Sequence, residues 1–187
     1  AALASASRSG RAARAGLQNR NRFVAQRSLA GTATVGTCAE VDGLKPELLW
    51  QRFAELSSIP RPSYHEAAVL DWIKGLATER ELEWKQDKAG NLVVYRPGSG
   101  GGEDAPPVCI QGHVDMVTEK SAGSKHDFLK DPIRLQRRGE WLAAQDTTLG
   151  SDNGIGVAAG LALLDSPPEE ALPPLELLFT VAEEVGL

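Results

Sequence analysis

Cysteine is scarce in this chain, with two among 187 residues. Cys38 stands in a basic N-terminal stretch and Cys109 in a distant apolar run, which excludes a disulfide framework and suits a reducing compartment. Long apolar runs are missing too. Nothing reaches the roughly 18 consecutive apolar residues that a membrane-spanning helix needs, so no segment is read as crossing a membrane. Acidic residues are missing from residues 1–39, which hold six arginines and no Asp or Glu, while the rest of the chain carries all 25 acidic residues.

Residues 1–39 are therefore read as a basic leader rich in alanine, arginine and serine. Its composition is that of an organellar transit peptide without the apolar core of a secretory signal, and a disordered tail shares that composition. Apart from Phe23 it lacks the aromatic interleaving of a nucleic-acid arm, and the body behind it is acidic, so nucleic acid is not an expected partner. The chain opens on Ala1 and ends just after a strand-like run, so a fragment is expected. With 42% hydrophobic residues it has enough apolar material for one globular core.

Leu48, Leu49, Phe53, Leu56 and Ile59 recur at helical spacing between Pro46 and Pro60, which predicts a first amphipathic helix. Ser63 and Glu66 have the spacing of a capping box, followed by the apolar stripe Ala67, Leu70, Ile73 and Leu76 of a second helix. A hairpin is expected from Leu82–Gln86 through Gly90-Asn91 to Leu92–Tyr95. "VCIQGHVDMV" reads as a buried apolar strand, and strand pairs are expected around Ile133–Leu135 and Glu140–Leu142. "SDNGIGVAAGLALLDS" is a glycine-rich bend into an apolar helix, and "LELLFTVAEE" a buried last strand. The alternation predicts an α/β fold, a mixed sheet flanked by helices.

Chemistry-bearing residues fall at strand ends. His113 and Asp115 follow "VCIQG", Asp152 precedes the apolar helix, and Glu183-Glu184 close the last strand. Loops at strand ends are where side chains from separate elements converge. One imidazole with several carboxylates suits zinc, manganese or cobalt. In an extended segment His113 and Asp115 share a face, so the carboxylate can fix the imidazole tautomer; an ordinary strand-end histidine and surface aspartate is the other reading. Asp152 is open between a ligand and a helix cap. Its loop is neither GxGxxG nor GxxxxGK[ST], which argues against a phosphate loop. Adjacent strand residues point to opposite faces, so one of Glu183 and Glu184 can bind a metal while the other, given a turn at the strand end, faces the substrate water as a base.

"IPRPSYHE", "DKAGNLVV", "CIQGHVDMV", "HDFLKDPIRL", "TTLGSDNGIGVAAGLALL" and "LELLFTVAEEVGL" resemble, in order, motifs of the aminoacyl-histidine dipeptidase family of metallopeptidases. The resemblance covers about residues 45–187. It implies that residues 40–187 are the N-terminal part of a phosphorylase/hydrolase-like zinc peptidase catalytic domain, truncated before an inserted second domain. It further implies two divalent metal ions, zinc first, with manganese and cobalt as alternatives. His113, Asp152 and Glu184 resemble metal ligands, Asp152 bridging both ions across a cis Asp152-Asn153 bond. Glu183 matches the general acid/base and Asp115 the residue orienting His113. His126 and Asp127 sit in a family motif, in a catalytic or a loop-ordering role. Tyr64, His65, Met116 and Trp141 are read as packing or loop residues. The implied substrate is an unblocked dipeptide, Xaa-His included, and the full-length protein is expected as a homodimer in the cytoplasm, or in a plastid or mitochondrion if the leader is a transit peptide. A related N-acyl amino acid deacylase, or an inactive truncated fragment, are the alternatives.

Overall fold

Pro46 cannot continue a helix backwards, and the first helix, α1, starts directly after it at Glu47–Ser57. The computed structural model describes residues 38–186, so most of the basic leader lies outside the described residues. Helix α1 buries Phe53, Ala54 and Leu56, and it ends before Ile59 because Pro60 follows. The second helix, α2, spans Ala67–Glu79 and buries Val69, Leu70, Ile73 and Leu76; Ala67 stays exposed, so the apolar stripe starts one turn later than expected.

The expected hairpin forms as β1 (Glu83–Gln86) and β2 (Leu92–Arg96), paired antiparallel. Asp87 holds its turn, its carboxylate accepting the N–H groups of Gly90 at 2.8 Å and Asn91 at 2.9 Å. The strand β3 covers Val108–His113, the small pair β4 (Leu135–Arg138) and β5 (Trp141–Ala144) stands apart, α3 spans Ser151–Leu163, and β6 spans Leu175–Thr180. The main sheet has the order β1-β2-β6-β3, with β6 antiparallel to β2 and parallel to β3. The mixed α/β architecture is thus as expected.

Strand alternation decides where the core lies. Leu92 and Val94 on β2 and Leu175, Leu177 and Phe179 on β6 are buried, and they face the apolar side of α2 and α3 in one cluster. Each such side chain contributes roughly 1.5–3 kcal/mol by leaving water. A smaller cluster joins α1 to α3 and the β4–β5 pair through Phe53, Met116, Leu135 and Ala158. One strand departs from expectation. Among the described residues β3 lies at the sheet edge, so Val108 is 46% exposed and only Gly112 and His113 at its end are buried.

An ionic cluster locks the far end of α3. Asp165 accepts from Arg52 Nη2 at 2.5 Å and Arg80 Nε at 2.7 Å, joining α1 and the end of α2 to the second residue past α3. Partial burial pushes the Asp165 carboxyl up, but the two guanidinium groups more than offset it and hold it below its ordinary value. A carboxyl with a depressed folded pKa contributes stability above its unfolded pKa, and that stability is lost as pH falls through the folded value. We therefore expect Asp165→Asn to cost about 1–2 kcal/mol at neutral pH. The cost should shrink as the medium is acidified below roughly pH 4. Urea melts across pH 2–7 check this; an equal loss at every pH would contradict it.

Candidate metal centre

Three chain segments meet at the ends of β3 and β6 and the start of α3. His113, the last residue of β3, is 5% exposed, and Asp115 is fully buried. His113 Nδ1 lies 3.2 Å from Asp115 Oδ1, while Nε2 lies 3.1 Å from Asp152 Oδ1 and 3.7 Å from Glu183 Oε2. The imidazole therefore faces a carboxylate on each nitrogen. Such a ring is satisfied either as an imidazolium or with a cation seated between Nε2 and the outer carboxylates.

Ligand atoms of His113, Glu183 and Glu184 all lie within 4.8 Å of one another. Asp152, Glu183 and Glu184 form no ion pair with a lysine or arginine among the described residues. Carboxylates crowded together without a cation repel one another, and a nitrogen- and oxygen-donor set of this kind fits a divalent ion such as zinc or manganese.

Asp115 is the internal support of this arrangement. Its carboxylate accepts the Ser63 hydroxyl at 2.7 Å and the backbone N–H groups of Glu183 at 3.2 Å and Glu184 at 3.1 Å. Burial pushes its pKa up, but those donors and His113 prevail and keep the carboxyl below its ordinary value, hence ionised. The same atoms that orient His113 thus also hold the glutamate backbone.

The two glutamates stand in the turn beyond the last strand and not on the strand itself. Strand β6 stops at Thr180, Ala182 turns the chain with a left-handed φ of 56°, and Glu183–Val185 form a 3-10 turn. The two carboxylates are separated by that turn rather than by strand alternation, and both reach the His113 side.

Asp152 is not a helix cap. Gly150 occupies the α3 N-cap position with φ 69°, no side chain caps the helix, and Asp152 itself is non-helical, its side chain 82% exposed beside His113. The Asp152-Asn153 peptide bond is cis. Gly112 permits the close approach of β3 to this segment, because a Cβ there would meet Asn153 Oδ1 at 2.8 Å.

The expected capping box is not formed. Ser63 donates its hydroxyl to Asp115 and accepts no N–H of its helix among the described residues, and Glu66 Oε1 accepts the N–H groups of Tyr64 and Ala182. Arg61 is a further residue that the sequence reading did not single out. Its buried guanidinium donates to Val114 O at 2.9 Å, Asp115 O at 3.0 Å and Gly150 O at 2.5 Å, tying β3's end to the start of α3. The available signal was the density of polar residues in "RPSYHE", more than a short link between two helices needs.

His126 lines a separate cleft of about 380 Å³ together with Arg134 and Asp146, and Asp127 follows it in the same loop. His126 packs edge-on against Phe128, with ring centroids 4.5 Å apart, and Asp127 pairs with Lys130 at 3.0 Å within its own loop. Met116 is a packing residue, whereas Tyr64 and Trp141 are exposed, so the Trp141 indole needs no buried partner.

The fold belongs to a class shared with peptidases. A tripeptidase from Staphylococcus aureus covers 75% of this chain with a TM-score of 0.60 at 21% identity, a likeness of fold alone. No family model matches. The cytosol non-specific dipeptidase of Escherichia coli is 44% identical over 149 residues, 80% of this chain and 30% of that protein. The aminoacylhistidine dipeptidase of Vibrio alginolyticus superimposes with a TM-score of 0.75 at 43% identity, covering 78% of this chain and 30% of that one. The chain is thus a homologue of the aminoacyl-histidine, or cytosol non-specific, dipeptidase family, and it spans about 30% of the length of these relatives.

Proposed function

We propose that the full-length protein to which this chain belongs is a metal-dependent dipeptidase that hydrolyses unblocked dipeptides, Xaa-His among them. The observation that carries the reading is the meeting of His113, Glu183 and Glu184 within 4.8 Å of one another, with Asp152 against His113 Nε2 at 3.1 Å and the buried Asp115 supporting them from behind. Identity of 44% to a cytosol non-specific dipeptidase supports the substrate class and a cytoplasmic location.

In this reading His113, Asp152 and Glu184 are the residues that would hold two divalent ions, zinc first. Such ions, when bound, polarise the peptide carbonyl and make water more acidic. Asp115 keeps the Nδ1 proton of His113 and leaves Nε2 free to ligate. Glu183 is the general base: it accepts a proton from the attacking water and returns it to the leaving amine nitrogen.

The test is hydrolysis by the full chain, supplied with zinc or manganese, of a panel holding free dipeptides and N-acyl amino acids. Release of free amino acids from the dipeptides is expected. Turnover confined to the acylated compounds, or no turnover at all, would overturn the reading.

A further inference from the structure

We propose that Glu66 is the positioning residue of the β6 end, its Oε1 holding the left-handed turn at Ala182 that aims Glu183 and Glu184 toward His113. The inference rests on the metal-centre reading above and concerns how this chain's own backbone builds that centre.

Past Thr180 and Val181 the chain leaves the sheet, and four successive backbone N–H groups are taken by side-chain oxygens. Val181 donates to Asn91 Oδ1 at 3.2 Å, Ala182 to Glu66 Oε1 at 3.0 Å, and Glu183 and Glu184 to the Asp115 carboxylate at 3.2 and 3.1 Å. The turn is therefore set by three side chains rather than by a ladder. Ala182 is its hinge, with φ 56° and ψ 31°, a conformation unfavourable for a residue bearing a Cβ. Its methyl group has no polar atom with which to secure that conformation, so the N–H bond to Glu66 is the polar tie that it makes.

Glu66 is built for this contact. It is 7% exposed, it sits at the N-terminal end of α2 without capping that helix, and its Oε1 also accepts the Tyr64 N–H at 2.9 Å. Tyr64 is likewise left-handed, with φ 68°. One oxygen thus secures two non-glycine left-handed residues, one beside Ser63 and one beside Glu183, and both neighbours bond Asp115.

A carboxylate at a helix N-terminus also has an ordinary electrostatic role, and two substitutions separate the roles. Glu66→Gln keeps the oxygen and its reach but removes the charge; Glu66→Asp keeps the charge but withdraws the oxygen by one methylene. In the full chain we expect Glu66→Asp to lower the exchange protection of the Ala182 amide, read by NMR without metal. Titration with zinc or manganese alone should then show affinity falling about 10–100-fold, the range for residues that orient ligands. Glu66→Gln should leave both within about threefold of the parent. Adding Ala182→Gly to Glu66→Asp should restore part of the affinity, since glycine adopts this turn without a Cβ.

The opposite order, Gln impaired and Asp intact, assigns Glu66 to the helix and overturns the proposal, as does an Ala182 amide protected equally in both variants. A parent chain that takes up no metal overturns the metal-centre reading instead, and the Ala182 exchange pattern still decides the role of Glu66.

Discussion

Glu183→Gln is expected to lower dipeptide turnover by the full chain about 10²–10⁴-fold, while metal affinity stays close to that of the parent. The substitution keeps the size of the side chain and one acceptor oxygen but cannot carry a proton. Glu183 and Glu184 are adjacent, and both come within 4.8 Å of the His113 ligand atom, so proximity alone does not separate base from ligand. The paired variant does. Glu184→Gln should weaken metal uptake by 10-fold or more, because a neutral amide oxygen replaces a charged ligand. Turnover that returns at saturating metal in Glu184→Gln but not in Glu183→Gln assigns the two roles. The reverse pattern would exchange them, and undiminished turnover in Glu183→Gln would remove the proton shuttle from the mechanism.

Legibility in the sequence followed the range of the forces involved. Helix α1 and the β1–β2 hairpin were readable because apolar spacing, Pro46 and the Gly90-Asn91 turn act within a few residues. The close approach of His113 and Asp115 was readable for the same reason, since both lie on one short extended segment. The turn at Ala182 was not. An alanine gives no sign of a positive φ, which is imposed here by Asn91, Glu66 and Asp115 from three distant segments. Ser63 and Glu66 had the spacing of a capping box, yet tertiary acceptors and donors outcompeted the local pair. The edge position of β3 was hidden as well, because an apolar composition does not reveal which strands flank a given one.

Arg61→Met is expected to cost about 3–5 kcal/mol of stability, the range for stranding the partners of a buried charge, and to lower Tm by roughly 10 °C. Replacing a buried ion by a hydrophobic residue is often neutral, so the sign depends on what the guanidinium leaves behind. Here it leaves the backbone carbonyls of Val114 and Asp115 without a donor, while Gly150 O loses one donor and keeps the Gly154 N–H at 3.2 Å. An unpaired buried polar group costs about 1–3 kcal/mol, and two of them together outweigh the desolvation relieved by removing one cation. That desolvation is real: burial depresses the Arg61 pKa to about 10, although Asp115 and Glu184 work against it, and the group remains charged at neutral pH. The space is also shaped for a flat fork. A Cβ on Gly150 would meet Arg61 Nη2 at 2.6 Å, and one on Gly154 would meet it at 2.8 Å. Arg61→Lys keeps the charge but reaches the carbonyls as a single point, so it should recover only part of the loss. Thermal and urea melts of the full chain check the order parent, Lys, Met. A Met variant as stable as the parent would mean that water or local rearrangement satisfies the Val114 and Asp115 carbonyls, and Arg61 would then be no tie between β3 and α3.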